Sequence, residues 1–130
     1  MSNARDLAVG GHRLIAWVAF DGTNANLANN SQTGLYQSHG VSGITDVSDG
    51  EYIVHFSPAL DDTDYLVIAN AYGFNESRTA GRIVSFARTS SAKYNDSKET
   101  THCRIDVINS TSSGLDQYID AKNIFVLIFK

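Results

Sequence analysis

"NIFVLIF", residues 123–129, sets the terms for the whole chain. No polar residue interrupts Ile124 to Phe129. Successive side chains of a strand point to opposite faces, so Ile124, Val126 and Ile128 form one apolar face and Phe125, Leu127 and Phe129 another. The run is far too short to cross a bilayer as a helix. A strand with two apolar faces must be covered on both. A small sandwich covers a central strand only on its inner face, and the other face would be an exposed apolar patch of the kind that marks an interaction surface. We therefore expect Ile124, Phe125, Val126, Leu127, Ile128 and Phe129 to contribute to an interface between copies of the chain. The competing arrangement covers the strand on both sides within one monomer.

"DYLVIANAY", residues 64–72, makes the same demand, with both faces apolar from Tyr65 to Ile68. Other segments alternate cleanly. In "EYIVHF", residues 51–56, Tyr52, Val54 and Phe56 share one face while Ile53 and His55 share the other. In "THCRIDVI", residues 101–108, Cys103, Ile105 and Val107 point one way and His102, Arg104 and Asp106 the other. These read as half-exposed strands. Glycines and short clusters of Ser, Thr, Asn and Asp punctuate the chain at short intervals, and every helical pattern is interrupted, by Gly10-Gly11 or by the polar stretch from Asn24 to Ser31. Strands are expected near 14–20, 33–37, 41–45, 51–57, 64–72, 81–88, 102–109 and 123–129. That pattern predicts an all-β fold: an antiparallel β-sandwich or barrel-like domain of about eight short strands. It occupies residues 14–130 as a single domain, with 1–13 as an N-terminal extension.

Composition narrows the partners. A net charge of −4, with acidic residues spread along the chain, offers no footprint for a phosphate backbone, so nucleic acid is not an expected partner. No stretch suits a signal-peptide core or membrane insertion, and a single cysteine, Cys103, cannot form an internal disulfide. Folding in a reducing cytoplasm is expected.

The acidic residues Asp46, Asp49, Asp61, Asp62 and Asp64 crowd two inter-strand segments. Aspartate favours turns because its carboxylate can accept from its own backbone two residues on, and Gly50 can take the positive φ that closes a hairpin. A calcium loop needs six to eight converging oxygens and a terminal bidentate Glu, and the spacing lacks that pattern. A glycosidase needs two carboxylates facing each other across a cleft, which turns do not supply by themselves. His12, His39, His55 and His102 show no zinc spacing, so a metal site would have to be assembled by the fold. Cys103 alternates with apolar residues as an inert buried thiol does. No catalytic residues, cofactor or metal are expected, and the chain reads as a binding module. Its candidate receptor-binding residues are Tyr72, Phe74, Asn75, Arg78, Tyr94 and Asn95, in polar connections that pair aromatic rings with amide or charged tips. A sugar offers a flat apolar face ringed by hydroxyls, which such loops suit.

A family pattern runs through these segments. "AWVAFDGT" (16–23), "VSGITD" (41–46), "GEYIVHF" (50–56) and "LDDTDY" (60–65) occur in that order. "THCRIDVINS" (101–110) and "FVLIF" (125–129) follow. The series resembles a recurrent module of bacteriophage tail-fibre and virion structural proteins. There an "AWVNFNGT"-like strand opens the domain, a "VSSITDNGTGDYTVNF" hairpin and an "ALADANY"-like turn follow, and "FRIRTYNS" and "VSVAVF"-like strands end it. The resemblance covers Trp17 to Phe129. It implies a virion protein on the tail or capsid surface, a homotrimeric fibre or knob attaching to a host surface glycan or protein. The alternative is a capsid or tail decoration or assembly protein whose partners are other virion proteins. Members often carry a longer N-terminal collar, where only residues 1–13 precede the first strand here. "GLDQYIDAKN" (114–123) replaces the family's Asp-Pro-rich turn, which implies a new contact for that segment.

Overall fold

A computed structural model describes residues 13–24, 31–72, 82–86, 98–110 and 116–130. The fold is all-β, built from two antiparallel sheets packed face to face, and the described residues contain no helix. In chain order the strands are β1 (Leu14–Phe20), β2 (Leu35–His39), β3 (Val41–Ser48), β4 (Glu51–Phe56) and β5 (Leu66–Tyr72). They continue with β6 (Arg82–Phe86), β7 (His102–Ser110), β8 (Asp116–Tyr118) and β9 (Asn123–Phe129). One sheet runs β2-β1-β9-β5 and the other β3-β4-β7-β6, with β8 joined to β7 beyond the end of β4.

Most strands fall where alternation places them. β2 lies two residues later than its sequence pattern, and β3 extends to Ser48, so Asp46 is a strand residue rather than a turn residue. β8 was not expected, because "DQY" carries no apolar alternation; it is held by pairing with Ile108, Asn109 and Ser110 of β7. Asp49-Gly50 makes the β3–β4 turn, and Gly50 has φ +71°, as a tight hairpin needs. Asp62 forms the expected local turn, its Oδ1 accepting from the Asp64 amide at 2.8 Å.

The core lies between the sheets. Ala16, Val18 and Phe20 of β1 and Ile124, Val126 and Ile128 of β9 face Ile44 of β3, Tyr52, Val54 and Phe56 of β4, and Cys103, Ile105 and Val107 of β7. Cys103 is fully buried, and burial pushes its thiol up to about 12, which suits packing rather than reactivity. Asp106 corrects one expectation: it lies on the face assigned to water yet is completely buried, on a strand paired along both edges, opposite Glu51 and Ser85.

Two tyrosines tie the sheets together, one toward each end of the core. Tyr52 makes an edge contact with Phe20 at 5.3 Å between ring centres, and its hydroxyl lies 2.7 Å from Asp120 Oδ1 and 3.0 Å from the Gly22 carbonyl. Asp120 Oδ1 also accepts from the Gly50 amide at 2.8 Å. Tyr65 makes an edge contact with Phe56 at 5.5 Å and places its hydroxyl 3.0 Å from the Glu99 carbonyl and 3.1 Å from that of His102. Buried hydroxyls need such partners, since an unmade bond costs about 1–3 kcal/mol.

Gly22 lets the Tyr52 contact form. A β-carbon there would sit 2.5 Å from the Tyr52 hydroxyl, 2.6 Å from Ile124 Cδ1 and 2.7 Å from the Ala121 carbonyl oxygen. Backbone cannot give way as a flexible side chain does. Gly22→Ala is therefore expected to lower stability by about 1–3 kcal/mol in chemical denaturation, with the far-ultraviolet spectrum of the folded state unchanged. An unchanged midpoint would show that the clamp is slack.

Candidate functional site

The two sides of β9 meet different fates. Ile124, Val126 and Ile128 are 0 % exposed within a single chain, so they belong to the core and cannot meet a neighbouring subunit. Our expectation for those three is corrected, because β9 lies inside the sheet with the second sheet over that face. Phe125, Leu127 and Phe129 project from the opposite face, and Phe125 stays 38 % exposed.

Register assembles these residues with others into one surface. Leu14, Phe129 and Leu66 stand in one row across β1, β9 and β5; Trp17, Leu127 and Ile68 stand in the next. The irregularity between Leu14 and Ala16 is what brings Leu14 opposite Phe129 on this face. Ala19, Phe125 and Asn70 form a third row, and Asn123 and Tyr72 a fourth. Leu66, Ile68 and Tyr72 are 58, 57 and 55 % exposed. No charged residue stands in these four rows.

Sequence reasoning placed β9 in an interface but omitted Leu14, Trp17, Leu66 and Ile68. The signal was present for β5, whose apolar residues on both faces required a second cover. For β1 it was hidden, since only pairing shows that Trp17 stands beside Leu127.

The surface changes character along the strands. At the end formed by Tyr72 and Asn123, amides join the rings: Asn70 and Asn123 flank Phe125, and Gln37 of β2 lies beyond Ala19. Tyr72 stacks on Phe125 at 5.7 Å with the rings 12° from parallel. Tyr36 of β2 is exposed at the same end, its hydroxyl donating to the Lys122 carbonyl at 3.1 Å.

Of the candidate receptor-binding residues, Tyr72 thus lies on the exposed face, while Phe74, Asn75, Arg78, Tyr94 and Asn95 lie outside the described residues. Their anchors are informative. Tyr72 and Arg82 lie at one end of the sandwich, whereas Phe86 runs toward the other end, where Lys98 bridges to Cys103. The anchors therefore do not assign both candidate segments to one end.

At that other end a cleft of about 430 Å³ opens between Arg13, Ile15, Pro58, Leu60, Asp61 and Lys130. Lys130 Nζ is already 2.9 Å from Asp62 Oδ2, so the cleft presents mixed charge and selects neither an anion nor a cation.

Among the described residues, no three His, Cys, Asp or Glu side chains converge to hold a metal ion. The acidic residues around the β3–β4 turn act instead on stability. Asp46 stands opposite Tyr52, and partial burial, then repulsion by Asp120 and Asp49, pushes its carboxyl up to about 6. The folded chain thus holds this proton more tightly than the unfolded chain does. Its stabilising effect is complete below the ordinary value of 3.8 and is lost as pH rises through about 6. Asp46→Asn is expected to raise stability at pH 7.5 by about 1 kcal/mol, after allowance for solvent screening, and to leave it unchanged near pH 3.5. Thermal melts at the two pH values measure the difference; equal shifts would remove the carboxyl from the account.

With this geometry in view, the chain matches no family model, no curated protein and no solved structure.

Proposed function

We propose that the protein is a non-enzymatic phage virion protein, a homotrimeric tail-fibre or knob module that attaches to a host surface glycan or protein. The observation that carries this reading is the apolar outer face that β1, β9 and β5 share. Its occupant is two further copies of the chain. The three strands that carry the apolar rows, β1, β9 and β5, lie about 4.8 Å apart and run seven residues at about 3.3 Å each, a projected area of roughly 330 Å². That is within the size range of the largest patches on monomers, which are often functional. Self-association suits a surface with no charge to match, because the same apolar rows can serve each partner.

The sequence resemblance supports the virion setting, and three-fold symmetry suits the task. Equivalent loops then meet one target together, and avidity multiplies a weak contact without new chemistry. The stacked Tyr72 and Phe125 rings, with Asn70 and Asn123 beside them, supply the flat apolar surface and amide edges that a sugar ring uses. Apolar rows toward Leu14 and Leu66 cement the subunits, and the amide-bearing end faces outward.

Light scattering on the purified chain is expected to return three times the chain mass at about 10 μM, and Leu66→Glu with Ile68→Glu to return one chain mass with the strand spectrum retained. A single-chain mass for the unaltered protein would sink the trimer. Tyr72→Ala is expected to keep the mass and weaken binding to host cells by about tenfold. If the intact protein decorates virions in immunogold images but never binds cells, it is a decoration protein and the attachment reading fails.

A further inference from the structure

His55 and His102 are 47 positions apart in sequence and directly opposite one another in space, as cross-strand partners on β4 and β7. Opposed residues of antiparallel strands hold their α-carbons about 4.5–5.5 Å apart, and both side chains leave the same face. That face is the outer side of the β3-β4-β7-β6 sheet, since the residues alternating with these histidines, Val54, Phe56 and Cys103, are buried. The two imidazole centres are 5.9 Å apart, with the rings inclined at 45°. Both rings are half-buried, so they are held by their strands yet open to solvent on one side.

Each ring also has one nitrogen engaged by a threonine. His55 Nε2 lies 2.8 Å from Thr45 Oγ1, and His102 Nδ1 lies 3.0 Å from Thr101 Oγ1. When those nitrogens donate their protons to the hydroxyl oxygens, His55 Nδ1 and His102 Nε2 keep their lone pairs. Fixing one ring nitrogen by a hydrogen bond is how metal-binding histidines are oriented and kept in the ligating tautomer.

We propose that His55 and His102 form a two-histidine chelate for a divalent transition ion of the zinc class. Two Zn–N bonds of about 2.0–2.1 Å at a tetrahedral angle place the ring centres roughly 5–6 Å apart. The observed separation of 5.9 Å falls in that range. Imidazole suits zinc, copper and nickel, whereas magnesium and calcium seek oxygen and would be rejected.

Two protein ligands leave two positions on a tetrahedral ion. Water fills them in the isolated chain, and a carboxylate from another molecule can replace it. Arg104 stands two residues along β7 on the same face and opposes a dication, so the affinity expected is modest. The site lies on the sheet opposite the apolar face, and so does not depend on whether the chain forms trimers.

The test is calorimetric and nuclear magnetic resonance titration of untagged protein with zinc chloride up to about 1 mM, with magnesium chloride as the control ion. One saturable zinc per chain is expected, with the largest shifts in the His55 and His102 rings and none with magnesium. His55→Ala and His102→Ala should each weaken zinc binding at least tenfold, while His39→Ala, on the other sheet, should leave it unchanged. Should an alanine variant misfold, His102→Gln is read instead, and its thermal midpoint in chelator alone reports the fold. No saturable zinc uptake, or uptake that survives loss of both rings, would overturn the proposal. Light scattering on the same samples reports the trimer separately.

Discussion

Everything in this molecule depends on where β9 sits. It lies between β1 and β5, hydrogen-bonded along both edges, so its side chains have only two directions to take. One set fills the core against the second sheet. The other set has no second sheet to meet, and it is as apolar as the first. A strand of ordinary sandwich composition would carry Thr, Lys or Glu on that outer side and the face would be unremarkable. Here Phe125, Leu127 and Phe129 join Leu14, Trp17, Leu66 and Ile68 to make a hydrophobic wall. Its existence is the physical basis for reading the chain as part of an assembly.

The sandwich itself is closed by polar chemistry at both ends of a hydrophobic core. Tyr52, from the second sheet, reaches across to Gly22 and Asp120 beside the first; Tyr65, which leads into the first sheet, reaches back to Glu99 and His102 beside the second. The reciprocal arrangement fixes the spacing of the sheets where loops leave them. It also gives a structural part to the segment between β7 and β9. Its β8 extends the second sheet, and its Asp120 carboxylate holds both the Tyr52 hydroxyl and the Gly50 amide.

The outer faces of the two sheets differ in character. One is apolar across β1, β9 and β5, with aromatic rings and amides toward one end. The other carries Thr45, His55, His102 and Arg104 together with Ile53.

Alternation alone determined the class of fold, the placement of β1, β4, β7 and β9, the burial of Cys103 and Tyr52, and the demand that β5 and β9 be covered twice. These are properties of a period-two chain, and they survive without knowledge of partners. What alternation could not reveal is which of its two faces turns inward: Ile124, Val126 and Ile128 were as eligible for an interface as Phe125, Leu127 and Phe129. Only packing against β3, β4 and β7 made the choice. Pairing across long loops likewise decided that Trp17 stands beside Leu127 and that His55 meets His102, because a hydrogen-bonded ladder joins residues by register and takes no account of their distance along the chain.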